Sequence, residues 1–280
     1  MTEPDDDSKR GETVLSGDWI SRRGCLLDRL GGAVIAALFG TRALAASQRE
    51  AAEKPPGSAT NHAGKVPYDP TDRYEVRTIE GWTVRVNTMF VTREPKLAAE
   101  ALTLLRRQLL QIVERVPAAS VQKLRTIPIW VEENEPHHPC MVYHPDPSWL
   151  RQHDMNPDKG RCVEVSNARH FLKWTQEQPW MVLHELAHGY HHQYLKTGFD
   201  NREVKKAFDK AMNEKRYQSV PRTGGTKEKA YAATNVQEYF AEASEAYFGT
   251  NDFYPFDRAE LQQYDPGMFE LLERLWRGPA

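Results

Sequence analysis

Cysteine is scarce in this chain, and its scarcity sets the first boundary. Three cysteines in 280 residues are too few for a scaffold stapled by disulfides. Cys25 lies in a segment expected to be removed, which leaves Cys140 and Cys162. Those two either pair in an exported protein or stand as separate small apolar residues, and their spacing alone does not choose. An excess of one charge is also lacking: 37 Lys and Arg stand against 39 Asp and Glu, a formal net charge of −2. Without a basic surplus the chain does not read as a protein that tracks nucleic-acid phosphates. The apolar stretch at residues 30–40 falls short of the roughly 20 residues that cross a bilayer, so no integral span is expected once the leader is gone.

What is there begins with that leader. Ser21-Arg22-Arg23-Gly24-Cys25-Leu26-Leu27 resembles the twin-arginine export motif. The modestly apolar stretch follows it, and Ala43-Leu44-Ala45 offers a small-x-small cleavage site. Residues 1–45 are therefore expected to be a signal peptide, with the mature protein periplasmic or extracellular in a bacterium. Residues 46–66 are polar and rich in Pro, Gly and Ser, the composition of a flexible tether. The folded unit is expected over residues 67–280.

Within that unit, Tyr74, Val76 and Thr78 alternate with Glu75 and Arg77, and Trp82, Val84 and Val86 alternate with Thr83, Arg85 and Asn87. Period two on both sides of Glu80-Gly81 predicts a hairpin with one wet face. Residues 96–116 carry apolar side chains at helical spacing. Residues 127–131 read as a strand whose Pro128 favours an edge or a strand start. Residues 141–143 and 162–165 read as short strands, and after Pro179 the pattern is mainly helical. Strands first and helices afterwards predict an α+β fold: a small mixed sheet with helices, then a mainly helical C-terminal part.

Four of the ten histidines, His184, His188, His191 and His192, fall within nine residues. On a helix over residues 179–195, His184 and His188 sit one turn apart on one face, so both imidazoles reach one ion. Glu185 is rotated by about 100° from His184, beside the metal rather than on it, where a carboxylate can take a proton from water. Val182, Leu183, Leu186, Ala187, Tyr190 and Tyr194 form an apolar arc to bury. His192 is excluded as a third ligand, because residues 184 to 192 span about 12 Å on a straight helix. His191 and His192 then read as outer-sphere, substrate-facing or simply exposed residues.

The third ligand is sought in the run from Tyr231 to Gly249. Thr234 with Gln237 fits a capping box and Gly249 a helix terminator. Glu238, Glu242 and Glu245 share a stripe between apolar flanks, with Gln237 and Ser244 as the polar face. Unpaired charges there would be costly. One zinc ion and its histidines would compensate them, with Glu238 as ligand and Glu242 accepting from a zinc-bound imidazole. Glu245 reads as structural or solvated.

These two motifs together resemble the gluzincin peptidases, and among them the catalytic domain of anthrax lethal factor and the Pro-Pro endopeptidases. That group has a Tyr-x-x-Thr-Asn-x-x-Glu-x-Phe-Ala-Glu segment after its zinc helix, matched here by Tyr231, Thr234, Asn235, Glu238, Phe240, Ala241 and Glu242. The resemblance covers residues 180–248. It implies a zincin-like fold, a single zinc ion held by His184, His188 and Glu238, and Glu185 as general base. It also implies that Tyr231 donates to the oxyanion of the tetrahedral intermediate; the plainer reading of Tyr231 is an aromatic packed before the helix. The expected activity is hydrolysis of a peptide or protein substrate, held as an added strand beside residues 161–167 or 141–144. Two rivals stand beside it: a zinc hydrolase of a non-protein amide, and a non-catalytic binding protein that keeps the fold. The targeting domains of lethal factor have no room in 280 residues, so its substrate choice does not transfer.

Overall fold

The computed structural model describes residues 67–277. The expected signal peptide and tether lie outside the described residues. Two strands, β1 (Tyr74–Ile79) and β2 (Trp82–Asn87), form the hairpin. Its turn places Glu80 at φ 50 and Gly81 at φ 90, the left-handed conformation that two-residue hairpin loops require. The helices α1 (Thr88–Arg93), α2 (Pro95–Arg115) and α3 (Ala118–Leu124) follow. Next come β3 (Ile129–Val131), β4 (Met141–Tyr143), α4 (Pro147–Gln152), β5 (Val163–Val165) and α5 (Ala168–Trp174).

The remainder is helical apart from one short hairpin. It comprises α6 (Met181–Tyr194), α7 (Arg202–Asn213), β6 (Val220–Pro221), β7 (Lys227–Glu228), α8 (Val236–Phe248), α9 (Arg258–Tyr264) and α10 (Pro266–Arg277). The fold is α+β with a small mixed sheet. Arg222-Thr223-Gly224-Gly225-Thr226 forms the turn between β6 and β7, with both glycines at positive φ.

The main sheet runs β1-β2-β3-β5-β4. Strands β2, β3 and β5 are parallel, while β1 and β4 pair antiparallel at the two edges. Pro128 precedes β3 and its carbonyl accepts from Val163, so an interior strand keeps its full ladder and the proline sits at the strand start. One face carries Val84, Val86, Ile129, Val131, Met141, Val163 and Val165 into the core shared with α2 and α6.

The hairpin departs from expectation. The register pairs Val76 with Arg85 and Tyr74 with Asn87, so the apolar row of β1 lies on the face opposite to Trp82, Val84 and Val86. Tyr74 is covered there by Trp130, but Val76 is 59% exposed. Pairing register, not alternation within each strand, decides which rows share a face. That second face also holds buried charge. Lys159 bridges Glu132 (2.7 Å) and Glu164, Tyr74 donates to Glu132, and His144 meets Glu164 at 2.6 Å.

Two glycines set how closely α6 approaches its neighbours. A Cβ on Gly189 would stand 2.7 Å from Ile127 Cδ1 and 3.2 Å from Tyr143, so the bare backbone lets the helix lie against the sheet. Gly249 ends α8 as expected, though its backbone (φ −153, ψ −119) is not left-handed. Its reason is contact: a Cβ there would fall 1.9 Å from the indole of Trp180, the residue that begins α6. The helix starts at Met181, two residues after Pro179. Cys140 and Cys162 form no disulfide with each other; both are buried, in separate apolar clusters.

Candidate metal centre

Helix α6 is buried on nearly every side from Met181 to His191, so its polar side chains must be satisfied by protein or by a ligand. His184 and His188 project from it toward α8, which packs directly across. Glu238 comes from the first turn of α8. Its backbone N–H donates to the side chain of Asn235 at 2.8 Å, and Asn235 is the cap that starts the helix. Thr234, expected to cap, instead ends the preceding short turn over Tyr231–Ala233. The cap thus stands one residue later than the capping-box pattern suggests.

Three donor atoms converge. His184 Nε2 lies 3.0 Å from Glu238 Oε2, His188 Nε2 lies 3.4 Å from the same oxygen, and the two Nε2 atoms are 3.1 Å apart. Ligands about 2.0–2.1 Å from a tetrahedral zinc stand about 3.3 Å from one another. The donor set of two imidazoles and a carboxylate, and its spacing, therefore fit a zinc ion. His184, His188 and Glu238 form one group able to hold a metal; His184, Glu242 and Glu245 form another. The second trio surrounds the other nitrogen of His184. Glu245 Oε1 is 2.6 Å from His184 Nδ1, while Glu242 Oε1 is 3.7 Å away.

The arrangement around His184 therefore differs from the expected one. Glu245, two turns beyond Glu238 on the same stripe, makes the hydrogen bond assigned in sequence to Glu242. Glu242 instead accepts from Asn251 at 3.2 Å. Ser244, expected on a polar face, is fully buried, donates to Phe240 O and accepts from Trp276. Nothing in a one-dimensional stripe distinguishes the glutamate one turn on from the one two turns on. The crossing of α6 over α8 does.

Electrostatics agree with a site built for a cation. Burial works to lower the His184 pKa, but hydrogen bonds and charges from Glu238 and Glu245 outweigh it and lift it to about 10. Burial works to raise Glu238, yet His188 and His184 hold it well below the usual carboxylate range. Without a metal, a proton on the His184 imidazole supplies positive charge that the carboxylates demand.

Glu185 is buried beside this centre, and its Oε2 accepts from the backbone N–H of Tyr143 at 2.9 Å. That contact joins α6 to β4, and β4 is the sheet edge on this side. Of the two segments open in sequence for holding an added strand, residues 141–144 contain an edge and residues 161–167 contain an interior strand. Tyr231 stands half-buried at the site, its ring centroid 6.5 Å from that of His184. His192 stacks on Phe199 and meets Tyr143 Oη at 2.9 Å. His191 is not exposed: it is fully buried between Phe199 and Phe240. A cavity of about 780 Å³ lies around Arg73, Glu132, His137 and Lys159, but its Glu132 and Lys159 are already paired.

Residues 143–275, just under half of the chain, match the family model described as anthrax toxin lethal factor, N- and C-terminal domain. No curated protein matches the chain. Among solved structures, the Pro-Pro endopeptidase PPEP-2 from Paenibacillus alvei is similar at 17% identity and a TM-score of 0.36, over 64% of this chain and 90% of that one. The likeness to the anthrax lethal factor family model is confined to residues 143–275, which hold α6, α8 and the end of the edge strand.

Proposed function

We propose that this protein is a zinc-dependent endopeptidase. The observation that carries the proposal is the convergence of His184, His188 and Glu238 onto one point, with Glu185 one residue along the same helix. Zinc, when bound, would supply Lewis acidity that activates water and polarises the scissile carbonyl. His184, His188 and Glu238 would hold it. Glu185 takes the proton from the attacking water and passes it to the leaving amine. Tyr231 donates a hydrogen bond to the developing oxyanion. The substrate lies as an added strand along β4, where backbone groups of the sheet edge hold an extended peptide without reading its sequence.

Metal analysis and a peptide-library digest test this reading together. Wild type is expected to carry about one zinc per chain and to cleave, as structural analogy with three-ligand catalytic sites requires. Glu185→Gln should keep the metal and lose cleavage, and Glu238→Ala should lose most of the metal. A wild-type protein that binds zinc yet cleaves no peptide would favour a binding protein or a hydrolase of another amide. Equal cleavage by Glu185→Gln would remove Glu185 from the mechanism. The proposal includes export through residues 1–45; the N-terminus of protein recovered from outside the cytoplasm should then begin near Ala46.

A further inference from the structure

His191 has no part in the chemistry above, yet it lies in the core. It is fully buried between the rings of Phe199 and Phe240, at centroid distances of 5.2 and 4.9 Å. Neither of its ring nitrogens has a hydrogen-bond partner among the described residues. Fully buried polar atoms in native proteins are almost always paired with protein or ordered water. An apolar side chain would fill this position between two phenylalanines at no such cost.

A second orphan stands beside it. His188 turns its Nε2 toward Glu238 and His184, which leaves Nδ1 on the far side of the ring, and that buried atom is also without a partner. A metal-ligating imidazole bound through Nε2 keeps its proton on Nδ1 and almost always donates it to an outer acceptor. His184 has such an acceptor in Glu245. His188 has none among the described residues. Residues three apart on a helix are surface neighbours, so His191 stands next to His188 on the same side of α6.

We propose that His191 is a positioning residue for His188: one ordered water accepts from His188 Nδ1–H and donates to a ring nitrogen of His191. The inference rests on His188 being a metal ligand. It makes the two histidines of the site differently supported, one by a carboxylate from α8 and one by a neutral imidazole from its own helix. An imidazole partner orients the ring without adding another carboxylate to a centre that already holds Glu238, Glu242 and Glu245.

The test compares zinc affinity, by chelator competition, for wild type, His191→Gln and His191→Leu, with thermal unfolding of each metal-free protein as a control. Loss of an outer partner typically weakens metal binding roughly 10–100-fold. His191→Leu should show that loss while its metal-free form unfolds at or above the wild-type temperature, and His191→Gln should stay near wild type. A folded His191→Leu protein that binds zinc as tightly as wild type overturns the proposal. If that variant does not fold, histidine-labelled wild type decides by NMR. A slowly exchanging His188 Nδ1–H with contacts to bound water and to the His191 ring supports the bridge, and a rapidly exchanging proton without them refutes it. Failure of the underlying metal reading looks different, because wild type itself would then bind no zinc.

Discussion

At the scale of the residue, the site is a set of imidazoles whose orientation is decided by what each ring's second nitrogen meets. His184 Nδ1 meets Glu245 at 2.6 Å, and Glu242 stands 3.7 Å away in the company of Asn251. A direct hydrogen bond to a charged acceptor orients a ring far better than a carboxylate beyond bonding distance. Glu245→Ala is therefore expected to weaken zinc binding by roughly 10–100-fold, with Glu242→Ala the milder of the two. Chelator competition on both variants measures this, and the reverse order would return the outer-sphere role to Glu242.

At the scale of the element, helices α6 and α8 act as one unit, and a glycine seals them. Gly249 closes α8 directly under the indole of Trp180, where α6 begins. A methyl group there would overlap a rigid ring, so Trp180 must move and carry the start of the zinc-binding helix with it. Overpacking of this kind costs about 1–3 kcal/mol or more. Gly249→Ala should lower the unfolding temperature of the metal-free protein and also weaken zinc binding. Denaturant melts with and without the ion test it, and wild-type stability in the variant would show that Trp180 has room to turn. The glycine was legible in the sequence as a helix end, but its cause was not. The terminator pattern suggests left-handed backbone, whereas contact with a residue 69 positions earlier is what excludes a side chain.

At the scale of the whole molecule, buried histidines make stability depend on pH. Burial, with His144 adding to it, lowers the His138 pKa to about 3, against about 6.5 in an unfolded chain. Below pH 6.5 the unfolded chain takes a proton that the folded protein refuses, so stability falls with falling pH by about 1.4 kcal/mol per unit for this group. His191, lowered to about 3 by burial and His188, acts with the same sign. His184 acts oppositely in the metal-free protein. Raised to about 10, it is protonated in both states below pH 6.5, and its contribution is lost only as pH rises toward 10. Between about pH 6 and 4.5 the metal-free protein should therefore lose stability steadily, and His138→Asn should flatten the slope. Unfolding curves across that range measure it, and an unchanged slope would mean that His138 is protonated in the fold.

Much of this protein was written locally. The spacing of His184 and His188, the place of Glu185 between them and the long apolar periodicity of α2 follow from helix geometry, which three or four consecutive residues already determine. The hairpin turn at Glu80-Gly81 is also legible locally, because a glycine readily takes the left-handed backbone the turn requires. Other features needed the chain to fold back on itself. Only the register of β1 against β2 turned Val76 outward, and only the sheet order made β4 an edge and β5 an interior strand. Only the crossing of α6 over α8 set Glu245 rather than Glu242 against His184 and enclosed His191 between two phenylalanines. Periodicity determines which side chains share a face. What that face meets is settled by residues far away in sequence, through packing that no local pattern encodes.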